Sequence, residues 1–282
     1  MVRRVAYLAV GLVGMFAMLP GCTYSFVGGE SRAAWRNAEE RTCVLRRHVR
    51  TDQYIKRAGK VRDRGACGID RALKVSAVTG GRVTVGPLAT INCPMTAALE
   101  SWITNGAQPA AMAWFGQPIV EIKQLGSYNC RRRNNESRAR LSEHAFGNAI
   151  DLASFRLADG REVSVKRDWN GQLDARSFLR ETFASACEQF KTVLGPGVRN
   201  HSDHFHLDLA HHNKAGMKRY CRPTPQAKPP RRQPVGRGLF SQAPSIDPVF
   251  TGSVPGAKPV ATYARVPQWP PVGSSPTETA SR

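Results

Sequence analysis

Two short polar segments constrain this chain more than any other feature: Ser142-Glu143-His144-Ala145-Phe146-Gly147-Asn148-Ala149-Ile150-Asp151 and His201-Ser202-Asp203-His204-Phe205-His206-Leu207-Asp208. In the second, polar and apolar residues alternate at the two-residue period of a half-buried strand. The alternation predicts that Phe205, Leu207 and Leu209 enter a core. His204, His206 and Asp208 then share the opposite face, about 7 Å from one to the next. The first segment alternates likewise, with Ala149, Asp151 and Ala153 on one face and Ile150 and Leu152 on the other. Gly147 supplies the backbone freedom of a turn, so that a loop bearing His144 folds back over the strand bearing Asp151. Two such strands gather imidazole and carboxylate groups in one place, and these are the donors that zinc takes in tetrahedral geometry. A catalytic site of that kind uses three protein ligands and leaves the fourth position to water.

The surrounding pattern is α+β. Met95 to Gly106 reads as a helix, with Pro94 near its first turn, Ala97, Ala98, Trp102 and Ile103 apolar, and Gly106 as its stop. Phe178 to Leu194 is a second helix by the spacing of its apolar residues. Arg82–Val85 and Ile119–Ile122 read as strands. Asp159-Gly160 lies between Ser154–Leu157 and Glu162–Val165, a hairpin signal. Helices are therefore expected to pack on a mainly antiparallel sheet. Trp169 follows the hairpin, where it either lines a groove or packs in the core.

The two ends differ from the middle. Arg3-Arg4 precede an apolar stretch from Val5 to Leu19, of signal-peptide length. That stretch runs into Leu19-Pro20-Gly21-Cys22, which resembles the bacterial lipoprotein cleavage box. Residues 1–21 are thus expected to be a signal peptide, and 22–42 a lipidated polar tether or short helix beginning at Cys22. The chain is expected to be exported to the periplasm and anchored through Cys22. Setting Cys22 aside leaves Cys43, Cys67, Cys93, Cys130, Cys187 and Cys221, an even set that an oxidising compartment can close into up to three disulfides. Fifteen pairings exist for six cysteines. The reading adopted is Cys43 with Cys67, Cys93 with Cys130, and Cys187 with Cys221. From Arg222 onward, 13 of the 19 prolines fall in 61 residues rich in Gly, Ser, Thr and Arg. Such a composition cannot bury a core, so 222–282 is expected to be a basic disordered tail.

The pattern Ser-x-His-x-x-Gly-x-Ala-x-Asp over Ser142–Asp151, with the His-x-His at His204 and His206, resembles the signature of the LAS zinc peptidases. That group includes lysostaphin-type endopeptidases, D-Ala-D-Ala carboxypeptidases and dipeptidases, and the metal-binding domain of hedgehog proteins. Cys67-Gly68-Ile69-Asp70, Ser127-Tyr128-Asn129-Cys130-Arg131, Leu194-Gly195-Pro196-Gly197 and Asp203–Asp208 further resemble the bacterial extensin-like C-terminal domain family, from about Cys67 to Cys221. The resemblance implies a disulfide-stapled, LAS-like zinc domain over 43–221, with one zinc ion on His144, Asp151 and His206. It offers Asp203 and His204 as proton acceptors, Asp203 ranked first, with His204 then polarising the carbonyl or steadying the intermediate. Arg131, or its neighbour Arg132 or Arg133, would neutralise developing charge or clamp a substrate carboxylate. Ser142 and Asp208 would orient the histidine rings. No role is assigned to His48, or to His211 and His212, which are expected beyond the strand in solvent.

The activity so implied is hydrolysis of amide bonds in the stem peptides or cross-bridges of peptidoglycan by an envelope-anchored zinc enzyme. The alternative is a non-catalytic envelope protein, binding peptidoglycan, whose zinc site is structural or vestigial. A third reading is a polyanion-binding adhesin acting through the tail. The net charge of +20 calls for polyanionic partners. No nucleic-acid module accompanies it, so anionic membrane surfaces and wall carboxylates are the expected partners rather than specific nucleic acid.

Overall fold

The computed structural model describes residues 31–225. The signal-peptide and lipidation readings at residues 1–22, and the Pro-rich tail from residue 226, lie outside the described residues.

The described chain is α+β, with a mixed, mostly antiparallel sheet of nine strands and three disulfides. It opens with helix α1 (Ala34–Leu45), which takes the short-helix alternative of the tether reading. Strands β1 (Ile55–Arg62), β2 (Gly68–Val78) and β3 (Val83–Asn92) follow as an antiparallel meander. Helix α2 (Cys93–Trp102) starts where the Asn92 side chain accepts from the Met95 amide at 2.8 Å, with proline in the first turn.

The helix does not stop at Gly106. It passes through a π turn (Ile103–Ala107) into α3 (Gln108–Phe115) and ends at Gly116, φ 64°. A Cβ on Gly106 would meet the Ser185 side chain at 2.5 Å and Trp102 at 3.1 Å. Gly106 is there for close helix packing, and the helix-ending glycine lies ten residues on.

Strand β4 (Ile119–Gly126) pairs in parallel with β3, and antiparallel with β5 (Ala149–Leu157). β5 turns at Gly160 into the short β6 (Glu162–Ser164), so the expected hairpin forms, but Val165 already begins α4 (Val165–Asp168). Helix α5 spans Leu173–Gln189. The stretch expected to continue it leaves at Phe190, whose backbone is extended, and becomes β7 (Thr192–Leu194). There the backbone pairs with β8 (Phe205–Asp208), which lies against β5, and with β9 (Tyr220–Arg222). The sheet order is β1-β2-β3-β4-β5-β8-β7-β9, with β6 attached to β5.

Trp102, Phe155, Phe178, Phe183, Phe190 and Phe205 are all fully buried and meet edge-on, which joins the helices to the sheet. Trp169 packs edge-on against Phe183 and Phe205, so it is a core residue rather than a groove wall.

The disulfides are Cys43–Cys93, Cys67–Cys130 and Cys187–Cys221. The last is the expected pair, and the other two exchange partners relative to the reading above. The reason is tertiary: α1 lies on α2, which brings Cys43 to the first residue of α2. Cys67, just before β2, is left to the loop carrying Cys130.

Candidate metal centre

Sequence-local geometry sets the first ligand. Ser142 accepts from the backbone amide of His144 at 3.4 Å and caps a single 3-10 turn, Glu143–Phe146, which Gly147 closes at φ 60°. That turn buries His144 completely. Strand register sets the other two: Asp151 of β5 stands directly opposite His206 of β8. His144 Nε2 lies 3.1 Å from Asp151 Oδ2 and 3.2 Å from His206 Nδ1, and His206 Nδ1 lies 2.8 Å from Asp151 Oδ1. All three side chains are buried, and one ligand atom from each falls within 4.8 Å of the others. The group could hold a metal ion.

The fit can be tested on these distances. Ligand atoms about 2.0–2.1 Å from a tetrahedral ion are about 3.3 Å apart, which the 3.2 Å between His144 Nε2 and His206 Nδ1 matches, while Asp151 meets the two nitrogens through different oxygens, Oδ2 at 3.1 Å and Oδ1 at 2.8 Å. The ring orientations also fit. His144 Nδ1 donates to the Ser127 carbonyl at 2.6 Å, and His206 Nε2 donates to Asp208 Oδ2 at 2.9 Å. Each outer nitrogen is thereby engaged as a donor, which leaves His144 Nε2 and His206 Nδ1 as the inner atoms that a cation would meet. Gly126 allows the carboxylate its position, since a Cβ there would lie 2.9 Å from Asp151 Oδ2.

Charge is concentrated in the same place. Burial pulls the His206 imidazole down, but the carboxylates of Asp151 and Asp208 outweigh it and push it up to about 10. Burial likewise raises Asp151, and hydrogen bonds from His144 and His206 reverse this, holding its carboxyl well below the usual carboxylate range. A proton on His206 Nδ1 and a cation in the triangle are thus alternatives.

The remaining candidates divide. His204 points inward, with Nε2 3.7 Å from Asp151 Oδ1, while its Nδ1 donates to Asp203 Oδ1 at 2.7 Å. Asp203 is turned to His204, and its side chain is 44% exposed. Arg131 brings Nη2 to 3.8 Å from Asp151 Oδ2, on the loop that Cys67–Cys130 ties down. Arg132 instead reaches the Ala139 carbonyl. Asp208 orients a ring as expected. Ser142 caps the backbone of His144 and leaves the His144 ring to the Ser127 carbonyl, a group with no signature in sequence.

The histidines set aside are also placed. His211 is not in solvent: it stacks on Trp35 with ring centroids 3.8 Å apart and donates to Glu39 at 2.9 Å. His212 hydrogen-bonds Thr192 at 2.9 Å. His201, given no role from sequence, has its ring 5.1 Å from His204 and 5.7 Å from His206. Its Nδ1 donates to the Arg199 carbonyl at 2.8 Å, and burial lowers its pKa, so it stands as a neutral ring. It precedes the alternating strand, so the period of two could not single it out. The ligand triangle opens on a cleft of about 700 Å³ bordered by Arg131, Arg133, His201, His204 and Tyr220.

A family model described as Extensin-like protein C-terminus matches residues 41–222. No curated protein and no solved structure matches the chain.

Proposed function

The chain belongs to the extensin-like C-terminal family, and we propose that it acts as a zinc-dependent peptidase on the peptide amides of peptidoglycan, with a LAS-like site, exported and anchored at the envelope through Cys22. The observation that carries this reading is a buried triangle of three ligand atoms, two of them on rings of fixed tautomer, that opens on a cleft beside His204 and Arg131. A purely structural zinc site is normally closed by a fourth protein ligand, and among the described residues three converge here.

His144, Asp151 and His206 would hold the ion, which supplies a Lewis acid to polarise a carbonyl and make water nucleophilic near neutral pH. The protein's own groups do the rest. His204 keeps its proton on Nδ1 toward Asp203, so Nε2 can accept a proton from attacking water and return it to the leaving amine. This ordering makes His204 the base and Asp203 its positioning partner, the reverse of the ranking drawn from sequence. Arg131 meets negative charge developing on the substrate oxygen or binds a stem-peptide carboxylate. His201 offers Nε2 as an acceptor to a substrate N–H.

The second reading, a non-catalytic envelope protein with a structural metal, draws on one contact. Arg131 lies 3.8 Å from Asp151, where it can neutralise the ligand carboxylate rather than a substrate. Digestion of purified peptidoglycan by the zinc-loaded full chain, with fragments identified by mass spectrometry, separates the two. Release of stem-peptide fragments that chelator abolishes is the expected result. A chain that takes up zinc and sediments with the wall but releases nothing would be a binder.

A further inference from the structure

A second cleft, of about 510 Å³, shares no lining residue with the first. Its wall carries five cations, Arg47, Arg50, Arg57, Lys60 and Arg71, against a single carboxylate, Asp70. Asp70 is engaged by Lys60 at 3.1 Å and by Arg71 at 2.7 Å. The guanidinium groups of Arg47, Arg50 and Arg57 have no hydrogen bond or ion pair among the described residues, and all three residues are exposed. The floor is apolar: Val44, Val49, Ala72 and Leu73.

Two features show that the backbone is bent to bring these cations together. Arg57 and Lys60 are three residues apart on β1, a spacing that puts side chains on opposite faces of a regular strand. The register of β1 against β2 shifts on both sides of Gly59, and with that irregularity both side chains line the one cleft. Arg47 stands just past the end of α1 at φ 52°, with its amide on Val44 O and the His48 amide on Cys43 O. This is the helix-ending position where glycine is usual, because only glycine takes the left-handed conformation without penalty. An arginine at that place points to a use for the side chain.

We propose that this cleft is a second binding site, one that takes a phosphoryl group carried on an apolar or uncharged body. Three free guanidinium forks around one space suit a group with two negative charges and several acceptor oxygens better than a single carboxylate. The apolar floor receives what carries the phosphate. A soluble phosphate ester and a lipid headgroup share this chemistry.

The test is calorimetric titration of the full chain with phenyl phosphate, and with benzoate for comparison, at about 0.15 M salt, where exposed charges are screened beyond about 8 Å. Saturable one-site binding is expected, with benzoate at least about tenfold weaker, and with R50Q/R57Q weakening phenyl phosphate about tenfold or more. Arg47→Gly supplies a second variant: it should weaken phenyl phosphate while leaving the melting temperature equal or higher, since glycine suits that backbone. Absence of saturable binding, equal affinity for benzoate, or affinity unchanged in both variants would overturn the proposal. Vesicles of phosphatidic acid in phosphatidylcholine assign the source. With Cys22→Ser in every chain, so that the proposed acyl anchor is absent, pelleting that R50Q/R57Q abolishes points to a lipid headgroup, and phenyl phosphate binding without such pelleting points to a soluble ester.

Discussion

At the scale of single residues, the site turns on which atoms face inward. His204 is held between Asp203 and the ligand triangle, so its loss removes the proposed proton acceptor, whereas loss of the Asp203 carboxylate only frees the ring. His204→Gln should lower peptidoglycan cleavage by about 100- to 10,000-fold with zinc content intact. Asp203→Asn should lower it by about 10- to 100-fold, the range for a partner that orients a working group. A larger loss in Asp203→Asn would return the base to Asp203.

A second outcome concerns pH. With the His206 imidazole pushed up to about 10, a proton occupies its Nδ1 across the neutral range, and metal must displace it. Zinc affinity, measured by competition with a coloured chelator, should therefore rise about tenfold per pH unit between about pH 6 and 8. Asp208→Asn removes one of the two carboxylates that sustain the charge and should flatten that slope. Of these residues, Asp151, His206 and Asp208 were legible because strand alternation leaves a trace in sequence. The Ser127 carbonyl and the inward turn of His201 were not, because a backbone acceptor and a loop ring leave none.

At the scale of elements, α1 is bound to the turn that carries the first ligand. Arg36 donates to both oxygens of Glu143, at 2.5 and 2.7 Å, and lies over the Phe146 ring at 3.8 Å. Glu143 also accepts from Asn148 at 2.8 Å and is almost entirely buried. Arg36→Met leaves that carboxylate without its countercharge, and breaking a buried pair from one side costs about 3–5 kcal/mol. Urea denaturation should show a loss of that order, and Arg36→Met with Glu143→Gln should recover much of it. Equal losses in the single and double variants would mean that packing of the arginine, not the ion pair, secures the turn. The sequence left this stretch as a tether or a short helix, and neither the choice nor the docking was legible. The same blindness exchanged the partners of Cys43 and Cys93, since spacing along the chain says nothing about which helix lies on which.

At the scale of the whole molecule, the chain carries a charge of +20 and matches its family over 41–222. Among the described residues no helix is long and apolar enough to cross a membrane. The anchor proposed from Leu19-Pro20-Gly21-Cys22 is Cys22, and Cys22→Ser should move the protein from the membrane to the soluble fraction after a high-salt wash, which strips contacts made by charge alone. Retention at the membrane after that wash would count against lipidation.

The sequence by itself determined the α+β class, the ligand-bearing strands and the even set of six cysteines, because hydrophobic period, turn residues and composition are local properties that survive in one dimension. Only the tertiary structure decided that Asp151 faces His206, that Cys43 meets Cys93, that the Asp203 carboxylate turns to the His204 ring, and that five cations from α1's end and two strands line one cleft. Those are matters of register, helix docking and side-chain direction. They depend on which surfaces exclude water together, and that is not encoded at any one position of the chain.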